Sequence, residues 1–228
     1  MDIHSTDTQF TGDQKHGSSL MHPLEKWMVR IWVPRVPRYI ETYHLTWMTL
    51  LWSALIVVFS YLAQDHISWM WLTSLMIIAQ YITDVLDGAV GRHRNTGLIR
   101  WGYYMDHFLD YIFLGSILIG YSFIAPVDFQ FMLFFILAIC SGFMVNSYLS
   151  FAATGRFQVA YMKIGPSEIR MLFVLINTLL IIFGKTYMAQ ALPYALAVSF
   201  VGLVIVVYRT QKEIWAMDMK QKALDKKV

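Results

Sequence analysis

The sequence predicts an all-α membrane protein with six transmembrane helices, an N-terminal interfacial amphipathic helix and both termini in the cytoplasm. Of its 228 residues, 57% are hydrophobic and only 14% are charged, well below the roughly 25% charged residues of soluble domains. Six apolar stretches lie at 46–63, 69–90, 104–123, 129–151, 169–183 and 189–208, each close to the roughly 20 residues that cross a bilayer as a helix. The chain therefore belongs to the multi-pass integral membrane proteins.

The placement of Lys and Arg predicts the orientation. All 18 basic residues except Lys185 lie in the N-terminal segment, in the loops after the second and fourth stretches, or in the C-terminal tail. Because Lys and Arg accumulate on the cytoplasmic side of membrane proteins, we expect both termini and these loops to face the cytoplasm, at the inner membrane if the protein is bacterial. The net charge of +3 is then an asymmetry across the bilayer, and we expect no nucleic-acid partner.

The remaining segments follow in chain order. Residues 1–23 are polar and are expected to be disordered. Residues 24–39 mix Trp and aliphatic side chains with Arg, which favours a helix in the cytoplasmic interface ending near Pro34; a simple basic leader is the alternative. Residues 40–209 form the six-helix transmembrane domain, and residues 210–228 form a basic cytoplasmic tail, helix or coil.

Four aspartates interrupt the second and third apolar stretches: Asp84, Asp87, Asp106 and Asp110. An Asp at the centre of a membrane helix costs about 2.5–3.5 kcal/mol, so four together cost on the order of 10 kcal/mol unless something compensates. Their i,i+3 and i,i+4 spacings put each pair on one face of its helix. Counted from the connecting loop at 1.5 Å per residue, Asp84 and Asp110 are expected about 12 Å deep and the other two about 6–8 Å deep. The carboxylates thus form two matched tiers near the cytoplasmic side.

Four convergent carboxylates without enough basic partners stay ionised only if cations neutralise them. Oxygen ligands select hard divalent ions such as Mg²⁺, Mn²⁺ or Ca²⁺, and two ions sharing four carboxylates suit the clamping of phosphate oxygens. Arg92 at the mouth either meets a phosphate or anchors the loop to the cytoplasmic side. Gly88 and Gly91 either pack against a neighbouring helix or let a ligand approach the backbone.

The motif that these residues form resembles the signature of the CDP-alcohol phosphotransferases (CDP-alcohol phosphatidyltransferases): Asp84-x-x-Asp87-Gly88-x-x-Gly91-Arg92, then Gly102-x-x-x-Asp106-x-x-x-Asp110. Six spans with cytoplasmic ends also fit that family. Two departures are visible. Gly91 stands where the family usually has Ala, and the spacing from Arg92 to Gly102 is one residue longer than usual. Thr46 matches a family Thr at the first span, although Thr42 and Tyr43 replace the family's preceding Pro-Asn.

The resemblance implies a reaction and a set of roles. A CDP-linked alcohol would give its phospho-alcohol or phosphatidyl group to a second alcohol and release CMP. The four aspartates would hold two Mg²⁺ or Mn²⁺ ions, with Ca²⁺ as a non-productive occupant, and Asp110 would also act as general base. The implied CDP-binding residues are Thr46, Asp84, Gly88, Gly91, Arg92, Gly102 and Asp106.

The substrate pair stays open. His107 and the Gly165-Pro166-Ser167-Glu168 segment are similar to choline- and ethanolamine-phosphotransferases, which use a CDP-aminoalcohol and diacylglycerol. Glu168-Ile-Arg170 is also similar to enzymes that join CDP-diacylglycerol to a phosphorylated polyol, and an ordinary helix start is the third interpretation. The candidate acceptor-binding residues are His107, Lys163, Glu168 and Arg170. The resemblance further implies membrane lipid as a partner and a homodimer.

A divalent-cation channel or carrier is the alternative function, because acidic residues within spans also mark ion pathways. A channel needs a conduit through both leaflets, whereas these carboxylates cluster toward one side. The fourth and sixth apolar stretches contain no charged residue that would continue a path outward. A non-catalytic scaffold that keeps the motif is a third, weaker hypothesis.

Overall fold

The computed structural model describes residues 20–155 and 165–226, and no β-strand occurs within them. The α-helices are α1 (His22–Trp32), α2 (Thr42–Leu62), α3 (Met70–Arg94), α4 (Ile99–Ile124), α5 (Gln130–Thr154), α6 (Pro166–Phe183) and α7 (Thr186–Asp225). In the described part of the chain, six helices are long and apolar enough to cross a membrane, which confirms the six predicted spans. The orientation of the termini stays a prediction.

The helices extend beyond the apolar stretches, most of all at the C-terminus. The sixth stretch and the basic tail form one helix of 40 residues, α7, which is about 60 Å long at the usual rise. A bilayer's hydrocarbon core is only about 30 Å thick, so the polar end of α7 continues outside it. The tail is therefore helical up to Asp225 and is not separated from the last span by a loop.

The connection between α3 and α4 is shorter than the sequence indicated. Helix α3 continues to Arg94, and Asn95 ends it in the left-handed conformation at φ 57°, which Asn tolerates better than most residues. Helix α4 starts at Ile99, so residues 95–98 connect the two helices. Counted along the helices from these ends, Asp84 and Asp110 lie about 15–17 Å in, and Asp87 and Asp106 about 10 Å. The tiers are at matched levels along the two helices, and their depth in a membrane stays a prediction.

The packing divides the helices into two groups. Helix α2 packs on both α3 and α4, α6 packs on α3, and α7 packs mainly on α5. Helices α2 and α4 approach closely at Gly120, where a Cβ would lie 2.5 Å from Ser60 Oγ. Small residues of this kind let membrane helices approach closely. The α5–α7 pair is joined to the rest chiefly through α4, and an open space remains between the two groups.

Helix α1 lies beside the start of α6. Ser167 Oγ donates a hydrogen bond to Glu25 Oε1 at 2.6 Å, and the Met21 backbone N–H donates to Glu168 Oε1 at 3.0 Å. Helix α1 ends at Trp32, and the following 3₁₀ turn, Val33–Arg35, contains Pro34, close to the predicted end. Its location in a membrane interface stays a prediction, and the expected disorder of residues 1–19 concerns residues outside the described part.

Candidate metal and nucleotide site

Three of the four aspartates converge: Asp84, Asp106 and Asp110. Each offers one carboxylate oxygen, and these oxygens lie within 4.8 Å of one another. Helices α3 and α4 both pack on α2 more than on each other, so the carboxylates meet across a gap between the two helices. All three side chains are partly accessible. Three oxygens at this spacing fit the oxygen-rich coordination that Mg²⁺, Mn²⁺ and Ca²⁺ prefer.

A buried arginine belongs to the same cluster. Arg170 is 3% exposed, and its Nη2 lies 2.6 Å from Asp110 Oδ1 and 3.2 Å from Asp84 Oδ2. Its guanidinium carbon also lies 5.4 Å from the centre of the Phe113 ring, within the range of a cation–π contact. The sequence placed Arg170 among the candidate acceptor-binding residues and did not predict its ion pairs with Asp84 and Asp110. The three converging carboxylates and Arg170 together keep two formal negative charges, which one divalent cation balances.

Asp87 stands apart from the three converging carboxylates. Its Oδ2 accepts a hydrogen bond from Thr46 Oγ1 at 3.0 Å, and its Oδ1 accepts one from the Gly88 backbone N–H. Thr46 is buried, and its hydroxyl also lies 3.1 Å from the carbonyl of Thr42 on α2, so its one hydrogen is shared between this carbonyl and Asp87. The contact joins two residues that the sequence analysis assigned to the metal and CDP sites separately. It leaves Asp87 on the side of the site that faces α2.

The three motif glycines have different surroundings. A Cβ at Gly102 would meet no heavy atom within 4 Å, so the backbone there is open to the cavity. At Gly88 it would meet only the end of the Arg92 side chain, at 3.2 Å. At Gly91 it would lie 2.8 Å from Thr42 Cγ2, so Gly91 has a packing role against α2. Gly88 and Gly102, with Arg92 beside them, are the positions where a ligand can approach the backbone.

The three candidate acceptor-binding residues that the structure describes have different surroundings. His107 Nδ1 lies 3.3 Å from Asp106 Oδ2, and its ring lies between those of Tyr103 and Tyr148, with centroids 4.4 Å and 5.4 Å away. Glu168 accepts from the Gly165 backbone N–H at 2.8 Å and so caps α6, as an ordinary helix start would. Arg170 belongs to the carboxylate cluster, and Lys163 lies outside the described residues.

A large cavity continues from the carboxylates into the space between the two helix groups. Its volume is about 2280 Å³, and it runs from the mouth at Arg92 to the turn between α6 and α7 at Gly184. Apolar side chains of α4 to α7 line its depth, among them Leu118, Ile136, Phe173, Leu180, Leu192 and Val198. This volume is more than twice the upper end of the roughly 300–1,000 Å³ that is usual for ligand pockets, so the cavity has room for a ligand as large as a lipid.

The sequence analysis missed a set of buried polar residues beneath the carboxylates. Gln80 and Asn177 are fully buried, and Asn177 bonds to Ser74 Oγ at 3.0 Å and to the Tyr121 hydroxyl at 2.8 Å. Gln80 bonds to Arg170. Gln80 was detectable, because it lies one helical turn before Asp84 on the same face of α3. Asn177 could not be identified in this way, because it has no acidic residue of the motif on its own helix and the sequence does not indicate which helix packs against it.

A six-helix membrane protein with a carboxylate cluster at the mouth of an apolar cavity defines a class: an integral membrane protein whose site combines a divalent-cation position with room for lipid. The family model for CDP-alcohol phosphatidyltransferase matches residues 44–210. The chain belongs to this family, as its motif indicated, and the match includes the four aspartates and at least part of each of the six spans. No curated protein matches the chain.

Membership establishes the general chemistry. The family consists of membrane transferases of phosphate-containing groups that depend on a divalent cation and use a CDP-alcohol and an acceptor alcohol in lipid synthesis. The channel or carrier alternative is not favoured by this finding.

Proposed function

We propose that this protein transfers a phospho-alcohol or phosphatidyl group from a CDP-linked alcohol to a second alcohol with release of CMP, using Mg²⁺ or Mn²⁺. The observation that carries the proposal is the convergence of Asp84, Asp106 and Asp110 where the mouth of the cavity meets its apolar depth. A nucleotide head and lipid tails can then reach the same carboxylates from two directions.

The metal requirement follows from the charges. Two bound ions would neutralise the diphosphate and stabilise the charge that develops on the departing CMP oxygen. Asp84, Asp106 and Asp110 would hold the first of them, with Asp87 and Asp110 contributing to the second. The Thr46 hydroxyl would keep the Asp87 carboxylate directed for this role through its 3.0 Å hydrogen bond.

The nucleotide would occupy the mouth. Gly88 and Gly102 expose backbone to the cavity, and Arg92 beside Gly88 supplies a cation for a phosphate oxygen. Gly91 would act indirectly by allowing α3 to approach α2. We expect this mouth to face the cytoplasm, where CDP-linked alcohols are soluble or exposed at the leaflet surface.

Asp110 would be the general base. It would accept the proton of the acceptor hydroxyl as that oxygen bonds to the phosphorus carrying the alcohol, while the bond from this phosphorus to the bridging oxygen breaks and CMP leaves. Arg170, 2.6 Å from Asp110 Oδ1, would hold the carboxylate in place. The apolar part of the cavity would receive the acyl chains of whichever substrate is the lipid.

Two substrate pairs satisfy this geometry: CDP-diacylglycerol with a polar alcohol, and a CDP-aminoalcohol with diacylglycerol. The test is CMP release by the purified protein in liposomes with Mg²⁺ or Mn²⁺, each CDP-alcohol being offered with a panel of acceptors. Asp84→Asn, which removes one carboxylate charge and keeps the side-chain shape, is the inactive control. No CMP from any pair, together with metal-dependent cation flux through the same liposomes, would refute the transferase and favour the channel.

A further inference from the structure

Gln80 is a buried amide in the middle of a membrane helix, and both ends of its side chain are engaged. It is 0% exposed. Its Oε1 accepts a hydrogen bond from Arg170 Nε at 2.7 Å, and its Nε2 donates to Asp84 Oδ1 at 3.5 Å. An amide buried away from water is costly unless it is hydrogen-bonded, so these contacts account for its presence there.

The hydrogen bond between Gln80 and Arg170 orients the guanidinium group of Arg170. Nε and Nη2 form one edge of the planar guanidinium, and Nη2 carries the ion pairs with Asp110 and Asp84. With Nε held by Gln80, Nη2 points between the two carboxylates. Loss of that contact removes one restraint on the plane and leaves the Phe113 ring and the ion pairs as the others.

The glutamine amide serves both neighbours at this position. The amide presents an acceptor to the cation and a donor to the anion at the same time. A Glu at residue 80 would accept from Arg170 but would set a like charge one helical turn from Asp84. A Met would fill the volume and bond to neither.

We propose that Gln80 is a positioning residue of the metal site: its side-chain amide orients Arg170 and Asp84, and thereby sets the affinity of the three converging carboxylates for a divalent cation. The inference rests on the proposed function, since it assumes that these carboxylates bind a metal. Partners that orient metal ligands typically change metal affinity by 10–100-fold when they are removed.

The test is Mn²⁺ binding to the full-length protein in detergent, followed by electron paramagnetic resonance of free Mn²⁺. Gln80→Met is expected to raise the Mn²⁺ Kd by about 10–100-fold. Thr73→Val is the matched control: Thr73 is 1% exposed on α3, and the change removes its 3.4 Å contact with Ser60 Oγ two helical turns from Gln80. This control is expected to keep the parent Kd within twofold.

A second variant tests the proposal if Gln80→Met does not fold. Gln80→Asn keeps the amide chemistry but shortens its reach by one methylene, and it should also raise the Kd at least several-fold while the protein elutes as the parent does. A Kd unchanged in both Gln80 variants, or raised equally by Thr73→Val, would overturn the positioning role and leave the proposed function standing. A parent protein that binds no Mn²⁺ would overturn the positioning role and the metal dependence of the proposed function. A parent protein that also releases no CMP from any substrate pair would overturn the transferase itself.

Discussion

Gly91→Ala is the most direct test of how α3 packs on α2. A Cβ there would lie 2.8 Å from Thr42 Cγ2 and 3.2 Å from Gly97 Cα. Thr42 is β-branched and only 9% exposed, so its methyl group has little room to move. Overpacking of this kind costs about 1–3 kcal/mol, and replacing Gly by Ala inside a helix returns about 1 kcal/mol. The net loss is then at most about 2 kcal/mol, which lowers the Tm by up to about 8 °C for a chain of this size.

A double variant isolates the contact. Thr42→Ser removes Cγ2 and keeps the hydroxyl, so Gly91→Ala combined with Thr42→Ser should recover part of the loss, with a coupling energy above about 0.5 kcal/mol. Recovery is partial because the Gly97 contact remains. Gly102→Ala is the control, since its Cβ meets nothing within 4 Å and it should not lower the Tm. The assay is thermal unfolding in detergent. If Thr42→Ser leaves the loss unchanged, the packing argument is wrong.

Three further changes test the site. Asp110→Asn should abolish CMP release while CDP binding, measured by calorimetry, largely survives; a normal rate would exclude Asp110 as the general base. Arg170→Gln should destabilise the protein by about 3–5 kcal/mol in thermal unfolding, because Asp84 and Asp110 lose a buried cation, and Arg170→Lys should recover only part, since an ammonium lacks the planar fork. An unchanged Tm would contradict that. Thr46→Val should weaken CDP binding by roughly tenfold, because Asp87 loses a hydrogen bond worth about 1.5 kcal/mol; unchanged affinity would exclude Thr46 from the site.

The sequence was sufficient for the spans and for the tiers of carboxylates. Apolar length predicts a membrane helix, and helical rise predicts the depth of residues spaced three or four apart, so Asp84 and Asp110 were placed at one level before any contact was known. The separation of Asp87 was not predictable, because an i,i+3 neighbour is turned about 60° around the helix axis and here faces Thr46 instead.

Contacts between helices that are far apart in the sequence could not be predicted from the sequence. Arg170 lies near the start of a span, two residues after Glu168. The neighbouring sequence is the same whether its side chain points to the membrane interface or into the site. Its contact with Asp110 joins residues 60 positions apart, and no periodicity within either helix encodes the packing of α6 on α3. The helical tail was uncertain for a related reason, since residues after Arg209 lack an apolar run and become helical as the continuation of α7.

The buried ion pairs also bear on how the protein enters the membrane. Synthesis delivers α3 and α4, with their four carboxylates, before α6 brings the only cation that the described residues place between Asp84 and Asp110. Until α6 is inserted, the four carboxyl groups must be protonated, hydrated or shielded by the insertion machinery, because transferring a charged group into hydrocarbon costs free energy. The fifth span therefore stabilises the second and third spans when it is inserted. In a ribosome-bound chain that ends before Pro166, Asp84 and Asp110 would lack their ion pairs with Arg170.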